Sequence, residues 1–341
     1  MGRLGDWLLS PENQSELEML YRRTFADNGW FSSDQSAYAI HQIASCFLKE
    51  KALLEWASAD IKHYPQAVQQ KVGLILAGNI PAVGFHDLLC CFISGHKALI
   101  KYSDKDKVLI PFLIKKLIEL RSDSAEYLEP VERLQQVDKV IATGSDNSSR
   151  YFEHYFANVP HIIRANRNSV AVLHGDETAE DLAALGEDIF RYYGLGCRSV
   201  SKIYVPLDFK LEYFMEQMDK FSPLQLLNSK YQNNFDYNRS VYLLNGTKHW
   251  CNDSLILMED KSMLSRIATL HFEYYDSKVK LVEELQEIMP KIQCIVSRYP
   301  LKKIHTGQDG DFLTTFMPGE SQLPKLNDYA DGVDTLLFLL Q

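Results

Sequence analysis

The sequence predicts an α/β fold built on a doubly wound parallel sheet, in about two domains or one large one, and three observations lead there. Short apolar runs, VGLILA, KALIK and KVIAT among them, have the length and continuity of strands buried on both faces. Each is followed by a Gly or Pro break and then by an amphipathic stretch, the order of repeated βαβ units. The composition, 46% hydrophobic and 24% charged over 341 residues, is that of an ordinary globular chain of about two domains.

Residues 11–70 read as an N-terminal helical cap, with Leu17, Leu20, Tyr21 and Phe25, then Ile43, Phe47 and Leu54, at helical intervals. VGLILA starts the first strand, GNIP breaks it, and GFHDLLCCFIS is a helix closed by Gly95. KALIK is the next strand, Val108 to Leu120 the next helix, and KVIATGSDNSSRYFEHYF repeats strand, Gly turn and helix. SVAVL is a strand, Thr178 and Asp181 have capping-box spacing, and Leu182, Leu185, Ile189 and Tyr193 continue the helix stripe to Gly194. The strand SKIYV then runs to Pro206. Strands near Leu255 to Met258, at IATLHFE and at QCIVS surround a helix near Val279 to Ile288, and TLLFLL near residue 340 reads as a last hydrophobic strand.

Composition narrows the function. With 36 basic against 45 acidic residues the net charge is −9, which disfavours non-specific binding to nucleic acid or anionic membrane. Six cysteines without CxxC spacing, and a start lacking signal-peptide order, predict a reduced, cytoplasmic protein. The longest apolar run, Leu88 to Ile93, is far short of the ~20 residues that span a bilayer. GxGxxG, GxxxxGK[ST], GxSxG and HExxH are absent, and no close His/Cys cluster predicts a metal.

The candidate nucleophile is Cys197, in a Gly-Leu-Gly-Cys turn at a helix-to-strand junction, where flexible glycines let a thiol approach a carbonyl and backbone N–H groups can hold an oxyanion. A plain buried cysteine is the competing reading. Asn79 follows a buried strand, where its amide can donate to an oxyanion or can simply make a turn. Lys101, Ser103 and Asp104 end another strand, suited to ribose hydroxyls or to a solvated loop. Gly144 and Ser145 precede a helix whose first N–H groups suit a pyrophosphate or an ordinary cap.

Taken in order, these segments resemble the aldehyde dehydrogenase superfamily and, within it, the LuxC-like fatty acyl-CoA reductases. GNIPAVGFHDLLCCFISGHKALIKYSD resembles the stretch running from the superfamily's asparagine loop to its strand ending in Lys-Pro-Ser-Glu, so that Asn79 matches the oxyanion asparagine, Lys101 the ribose lysine and Asp104 the acidic residue. IATGSDNSS resembles the Gly-Ser turn at the pyrophosphate helix, and YYGLGCRSVSKIYV resembles the nucleophile segment, matching Cys197 and Lys202. Glu259 matches the glutamate that bonds the nicotinamide ribose, although Leu264-Ser265-Arg266 stands where Phe-Gly-Pro should follow.

The resemblance implies an aldehyde dehydrogenase-like fold with a Rossmann-type dinucleotide-binding domain (1–163, including the helical cap), a catalytic domain (164–300) and a C-terminal oligomerisation segment (301–341). It implies reduction of an acyl-CoA by NADPH or NADH in a dimer or tetramer. NADPH is favoured by the family, whereas Asp104 would repel a 2′-phosphate unless Lys105 or Lys107 meets it. The superfamily's hydrolytic glutamate lies in Glu-Leu-Gly-Gly-Lys-Ser-Pro, and the matching IRANRNSV has no carboxylate, which fits an acyl group carried by a thiol. The alternatives are an acyl phosphate, an acyl-carrier-protein thioester, or a nicotinamide-independent acyltransferase or thioesterase pairing Cys197 with His174 or His86.

Overall fold

The computed structural model describes residues 1–61, 68–304 and 311–341, and divides into two compact units, 1–166 with 324–341 and 167–323. In the first, four helices, α1 (Gly2–Leu9), α2 (Gln14–Asp27), α3 (Ser33–Gln42) and α4 (Glu50–Ile61), precede β1 (Lys71–Ile75), α5 (Phe85–Ile93) and β2 (Lys97–Lys101). Then follow α6 (Leu109–Leu120), β3 (Leu128–Pro130), β4 (Lys139–Thr143), α7 (Asp146–Tyr155) and β5 (His161–Arg164). The five strands pair in parallel in the order β3-β2-β1-β4-β5. Order reverses between β1 and β4, the place where doubly wound sheets open a ligand crevice beyond their C-terminal edge. Val72, Leu74, Ala98 and Ile100 are 0% exposed, so these runs are apolar because helices cover both faces.

The second unit holds β6 (Asn168–Val172), α8 (Ala179–Phe190), β7 (Val200–Pro206), α9 (Leu211–Met218), α10 (Ser222–Leu226), α11 (Ser229–Leu244) and β8 (Trp250–Cys251). It continues through β9 (Ile256–Glu259), β10 (Thr269–Tyr275), α12 (Lys278–Ile288) and β11 (Ile292–Ser297). Its sheet runs β11-β6-β7-β10-β9-β8, parallel except for the short antiparallel β8.

Several expectations need correction. The helical cap is in pieces that end at Ile61; 62–67 lie outside the described residues and 68–70 are not helical. Leu17, Leu20, Tyr21, Ile43 and Phe47 are buried, but Phe25 and Leu54 face solvent at 47% and 63% exposure, because the preceding residues, Thr24 in α2 and Leu53 in α4, turn inward instead. The helix after Thr178 stops at Phe190, and Tyr192 and Tyr193 take left-handed φ values of 53° and 58°, so Tyr193 is buried without belonging to the stripe.

The final TLLFLL is a helix, α13 (Thr335–Leu340), in the first unit. Asp334 caps it through the Leu337 N–H at 2.8 Å, and Leu336 and Leu339 are 0% exposed. Its last carbonyls meet Lys139 Nζ (2.9 Å to Leu339 O) and His96 Nε2 (2.9 Å), a donor set that stops a helix rather than extending a strand. The reason for expecting an intermolecular strand, an exposed hydrophobic edge, therefore disappears.

Candidate active site

In the first unit the C-terminal edge of the sheet gathers Asn79, Lys101, Ser103, Asp104, Gly144 and Ser145. Asn79 follows β1, Lys101 ends β2 with Ser103 and Asp104 just beyond, and Gly144 and Ser145 follow β4, so the β1 and β4 loops flank the switch point. Gly78 is required there. A Cβ on it would lie 2.4 Å from Ser103 Oγ, so only glycine lets the Asn79 loop approach the β2 loop this closely. Buried Asp106, which the sequence reading passed over, reinforces the contact by accepting the Ala82 N–H and the Leu109 N–H, each at 3.0 Å. Its pKa is raised by burial, against the lowering effect of these backbone donors.

Lys101 Nζ donates to the Glu132 carbonyl at 3.2 Å. Asp104 is fully exposed and lies 3.8 Å from Lys107 Nζ. Ser145 is the N-cap of α7, accepting the Ser148 N–H at 3.4 Å, and a Cβ at Gly144 would sit 2.7 Å from Ser148 Cβ. Backbone at that corner therefore lies close against the helix start, where the positive end of the helix dipole favours an anion. The edge fits a dinucleotide: an N-terminal helix end and a bare backbone corner stand at the end of β4, and a lysine stands at the end of β2 on the other side of β1.

Cys197 belongs to the second unit. α8 starts at the predicted capping box, Thr178 Oγ1 and Asp181 each bonding the other's backbone N–H. After Phe190 the left-handed Tyr192, Tyr193 and Gly194 (φ 71°) reverse the chain into the Leu195-Gly196-Cys197 turn that opens β7. The ring of Tyr193 lies 5.8 Å from that of Tyr231, which is buried and donates its hydroxyl to Ser254 O at 2.9 Å. The Cys197 carbonyl accepts the Ser169 hydroxyl at 2.8 Å, and Arg198 Nη1 donates to Ser321 O at 3.1 Å. Cys197 is half-buried, whereas Cys90, Cys91 and Cys294 are core residues at 1% exposure or less.

Lys202 is buried on β7, donating to Glu273 Oε2 at 2.6 Å and to Lys261 O at 2.8 Å. Glu259 is not brought beside Cys197. It ends β9 level with Phe272 and Ile203, while Cys197 precedes Val200 two strands away; Leu264-Ser265-Arg266 instead approaches the start of β10.

His174 is equally remote. It follows β6, at the opposite end of the strand from Ser169, roughly 16 Å away by strand rise. It binds Ser297 Oγ at 3.0 Å rather than a cysteine. His86, in the first unit, bonds Leu326 O at 2.9 Å amid the rings of Phe47, Trp56 and Tyr329. Where a hydrolytic glutamate was sought, Arg164 ends β5, buried against Asp87 and donating to Thr335 Oγ1 at 2.8 Å. Only spacing is visible in a sequence, so this ion pair and the Ser169 clamp carried no signal. Among the described residues no group of three His, Cys, Asp or Glu side chains is arranged for a metal ion, and no helix is long and apolar enough to cross a membrane.

Solved structures share this architecture. A putative aldehyde dehydrogenase from Burkholderia cenocepacia matches with a TM-score of 0.62 over 87% of this chain and 73% of its own, at 14% identity. Aldehyde dehydrogenase 21 from Physcomitrella patens, in complex with the reaction product succinate, gives 0.64 over 87% and 73%, at 11% identity. A mutant of aldehyde dehydrogenase C from Pseudomonas syringae, in complex with NAD+ and octanal, gives 0.62 over 90% and 71%, at 14% identity. The fold is that of the aldehyde dehydrogenases. No curated protein matches the chain by sequence. Residues 47–220, half of the chain, match the acyl-CoA reductase (LuxC) family, and the chain belongs to that family. It is accordingly an oxidoreductase of acyl and aldehyde groups.

Proposed function

We propose that the chain reduces an acyl-CoA, a fatty acyl-CoA in the leading case, to the aldehyde through a thioester on Cys197. The observation that carries this reading is the half-buried Cys197 turn, fixed at its carbonyl by Ser169 and opened by glycines, in a chain whose core cysteines are sealed.

In this reading the Cys197 thiolate attacks the acyl carbon, a C–S bond forms, and the carbonyl electron pair moves to oxygen. The Cys197 N–H donates to that oxyanion, and Asn79 is assigned as its side-chain donor on the match to the superfamily asparagine. Collapse expels the CoA thiolate and leaves the acyl group on Sγ. When bound, reduced nicotinamide supplies the hydride for the next step. The tetrahedral alkoxide then left on Cys197 re-forms its C=O bond and breaks the C–S bond, releasing aldehyde and restoring the Cys197 thiolate. The segment Ile163 to Val170 offers no carboxylate to activate water, which favours reduction over hydrolysis.

For the dinucleotide, Gly144, Ser145 and the start of α7 suit the pyrophosphate, and Lys101 and Ser103 suit ribose hydroxyls. NADPH is placed ahead of NADH, because Lys107 lies 3.8 Å from Asp104 and offsets its charge toward a 2′-phosphate. The test is NAD(P)H oxidation across short, medium, long and aromatic acyl-CoAs. Turnover retained by Cys197→Ser, or absence of an acyl adduct on Cys197, overturns the reading.

A further inference from the structure

Asp188 sits on α8 with 0% exposure, next to the apolar face of Leu182, Leu185 and Ile189. A carboxylate there is costly unless its oxygens are hydrogen-bonded. Its Oδ2 accepts the Gly319 N–H at 2.6 Å, and its Oδ1 accepts both the Ser321 N–H at 3.0 Å and the Ser321 hydroxyl at 2.6 Å. Three donors from one short turn thus converge on one side chain. The turn lies directly on α8, since a Cβ on Gly319 (φ 88°) would be 3.2 Å from Ala184 Cβ.

What the turn does next gives the arrangement a direction. The Ser321 carbonyl accepts Arg198 Nη1 at 3.1 Å, and the guanidinium also lies over Phe316, 5.4 Å from its ring centre. Gln322 Nε2 reaches Ser199 Oγ at 3.5 Å. Arg198 is the residue after Cys197, and the Cys197 carbonyl is held from the other side by Ser169. The peptide joining Cys197 to Arg198 is therefore held at its oxygen and, through the arginine side chain, at its far end. That peptide starts at the Cys197 Cα, from which the Cys197 N–H and Sγ also project, so holding it restrains their directions.

We propose that Asp188 is a positioning residue for the Cys197 turn, acting through the 319–321 turn and Arg198. The proposal rests on Cys197 being the nucleophile. It differs from a mere staple of two segments in what it predicts for chemistry at the thiol: acylation needs an aligned oxyanion donor, whereas alkylation by iodoacetamide develops no oxyanion.

The experiment measures both reactions on Cys197 by mass spectrometry, using acyl-CoA without nicotinamide and iodoacetamide separately. Asp188→Asn is expected to slow acylation about tenfold while changing alkylation less than about twofold, and Arg198→Lys to do the same. Because the two act in one chain of contacts, the double variant is expected to be no slower than the slower single one. Unchanged acylation in Asp188→Asn, equal losses in both reactions, or additive losses in the double variant overturn the proposal. Should Asp188→Asn not fold, Arg198→Met cuts the same chain of contacts without touching the buried carboxylate, and normal acylation in it is equally decisive. Failure of the unmodified protein to acylate Cys197 at all is a different result, and it sinks the reaction scheme itself.

Discussion

Ser169 donates its hydroxyl to the Cys197 carbonyl at 2.8 Å and accepts the Cys294 N–H at 3.1 Å. One fully buried side chain at the start of β6 thereby ties the Cys197 turn to β11. Ser169→Ala leaves a partly buried acceptor and a buried donor without this partner, at an expected cost of about 2 kcal/mol. Chemical denaturation measures it, and acylation of Cys197 is expected to slow as well. An unchanged midpoint and unchanged acylation would mean that the hydroxyl fixes nothing.

The second expectation concerns the lifetime of the acyl-enzyme. The segment from Ile163 to Val170 carries no carboxylate, and Arg164 within it is committed to Asp87 and Thr335. Without nicotinamide, an acyl group on Cys197 should therefore outlast the time of one turnover. Intact-mass measurements after rapid removal of acyl-CoA follow the adduct directly. Its loss to water within one turnover time would show that another group activates water.

How much of this could be read in advance depended on the range of the interaction. Strands buried on both faces, the Thr178–Asp181 capping box and the Ser145 cap are local patterns, and each appears in the structure where its pattern lies. The doubly wound order follows from their alternation. TLLFLL was misread because a six-residue apolar run fits a strand or a buried helix, and only the distant Lys139 and His96 decide for the helix. The reversal at Tyr192 and Tyr193 was invisible because nothing in a tyrosine predicts positive φ. Ser169, Asp188 and the Arg164–Asp87 pair join residues far apart in the chain, which spacing alone does not show.

In the proposed reading the cofactor's 2′ position lies at Asp104 and Lys107, which are both solvent-exposed and 3.8 Å apart. Asp104→Asn removes repulsion toward a 2′-phosphate and is expected to move the ratio of kcat/KM toward NADPH by roughly fivefold, the modest size usual for exposed charges. Lys107→Ala should move it toward NADH. Steady-state kinetics with each cofactor checks both, and a ratio insensitive to either change would remove these residues from the 2′ position.

The docking of α13 should depend on Lys139, whose Nζ donates to Phe338 O at 3.0 Å and Leu339 O at 2.9 Å. Burial lowers its pKa, so the ammonium is held by these carbonyls at a desolvation cost. Lys139→Met removes the donor and leaves carbonyls at the helix end to His96 alone. A loss of about 2 kcal/mol is expected, with faster amide exchange in α13 than in β4. Equal exchange in both elements would show that the helix end is held by its apolar contacts instead.

Stability in acid should report His174. Ser297 donates its hydroxyl to Tyr299 O at 2.7 Å, so its oxygen receives His174 Nε2–H at 3.0 Å, and the buried Nδ1 is left without a hydrogen-bond partner. Burial first, then the nearby Lys278 and Arg298, lower the His174 pKa from 6.5 to about 4, with Asp176 acting in the opposite sense. The neutral ring is thus favoured by folding. Its contribution is complete above pH 6.5, shrinks as pH falls, and is gone below about 4, amounting to at most about 3 kcal/mol. His174→Asn keeps a side-chain donor for Ser297 and does not titrate. Thermal midpoints measured from pH 7 down to 4 should therefore fall more steeply for the unmodified chain than for His174→Asn, and parallel curves would assign the acid sensitivity to other groups.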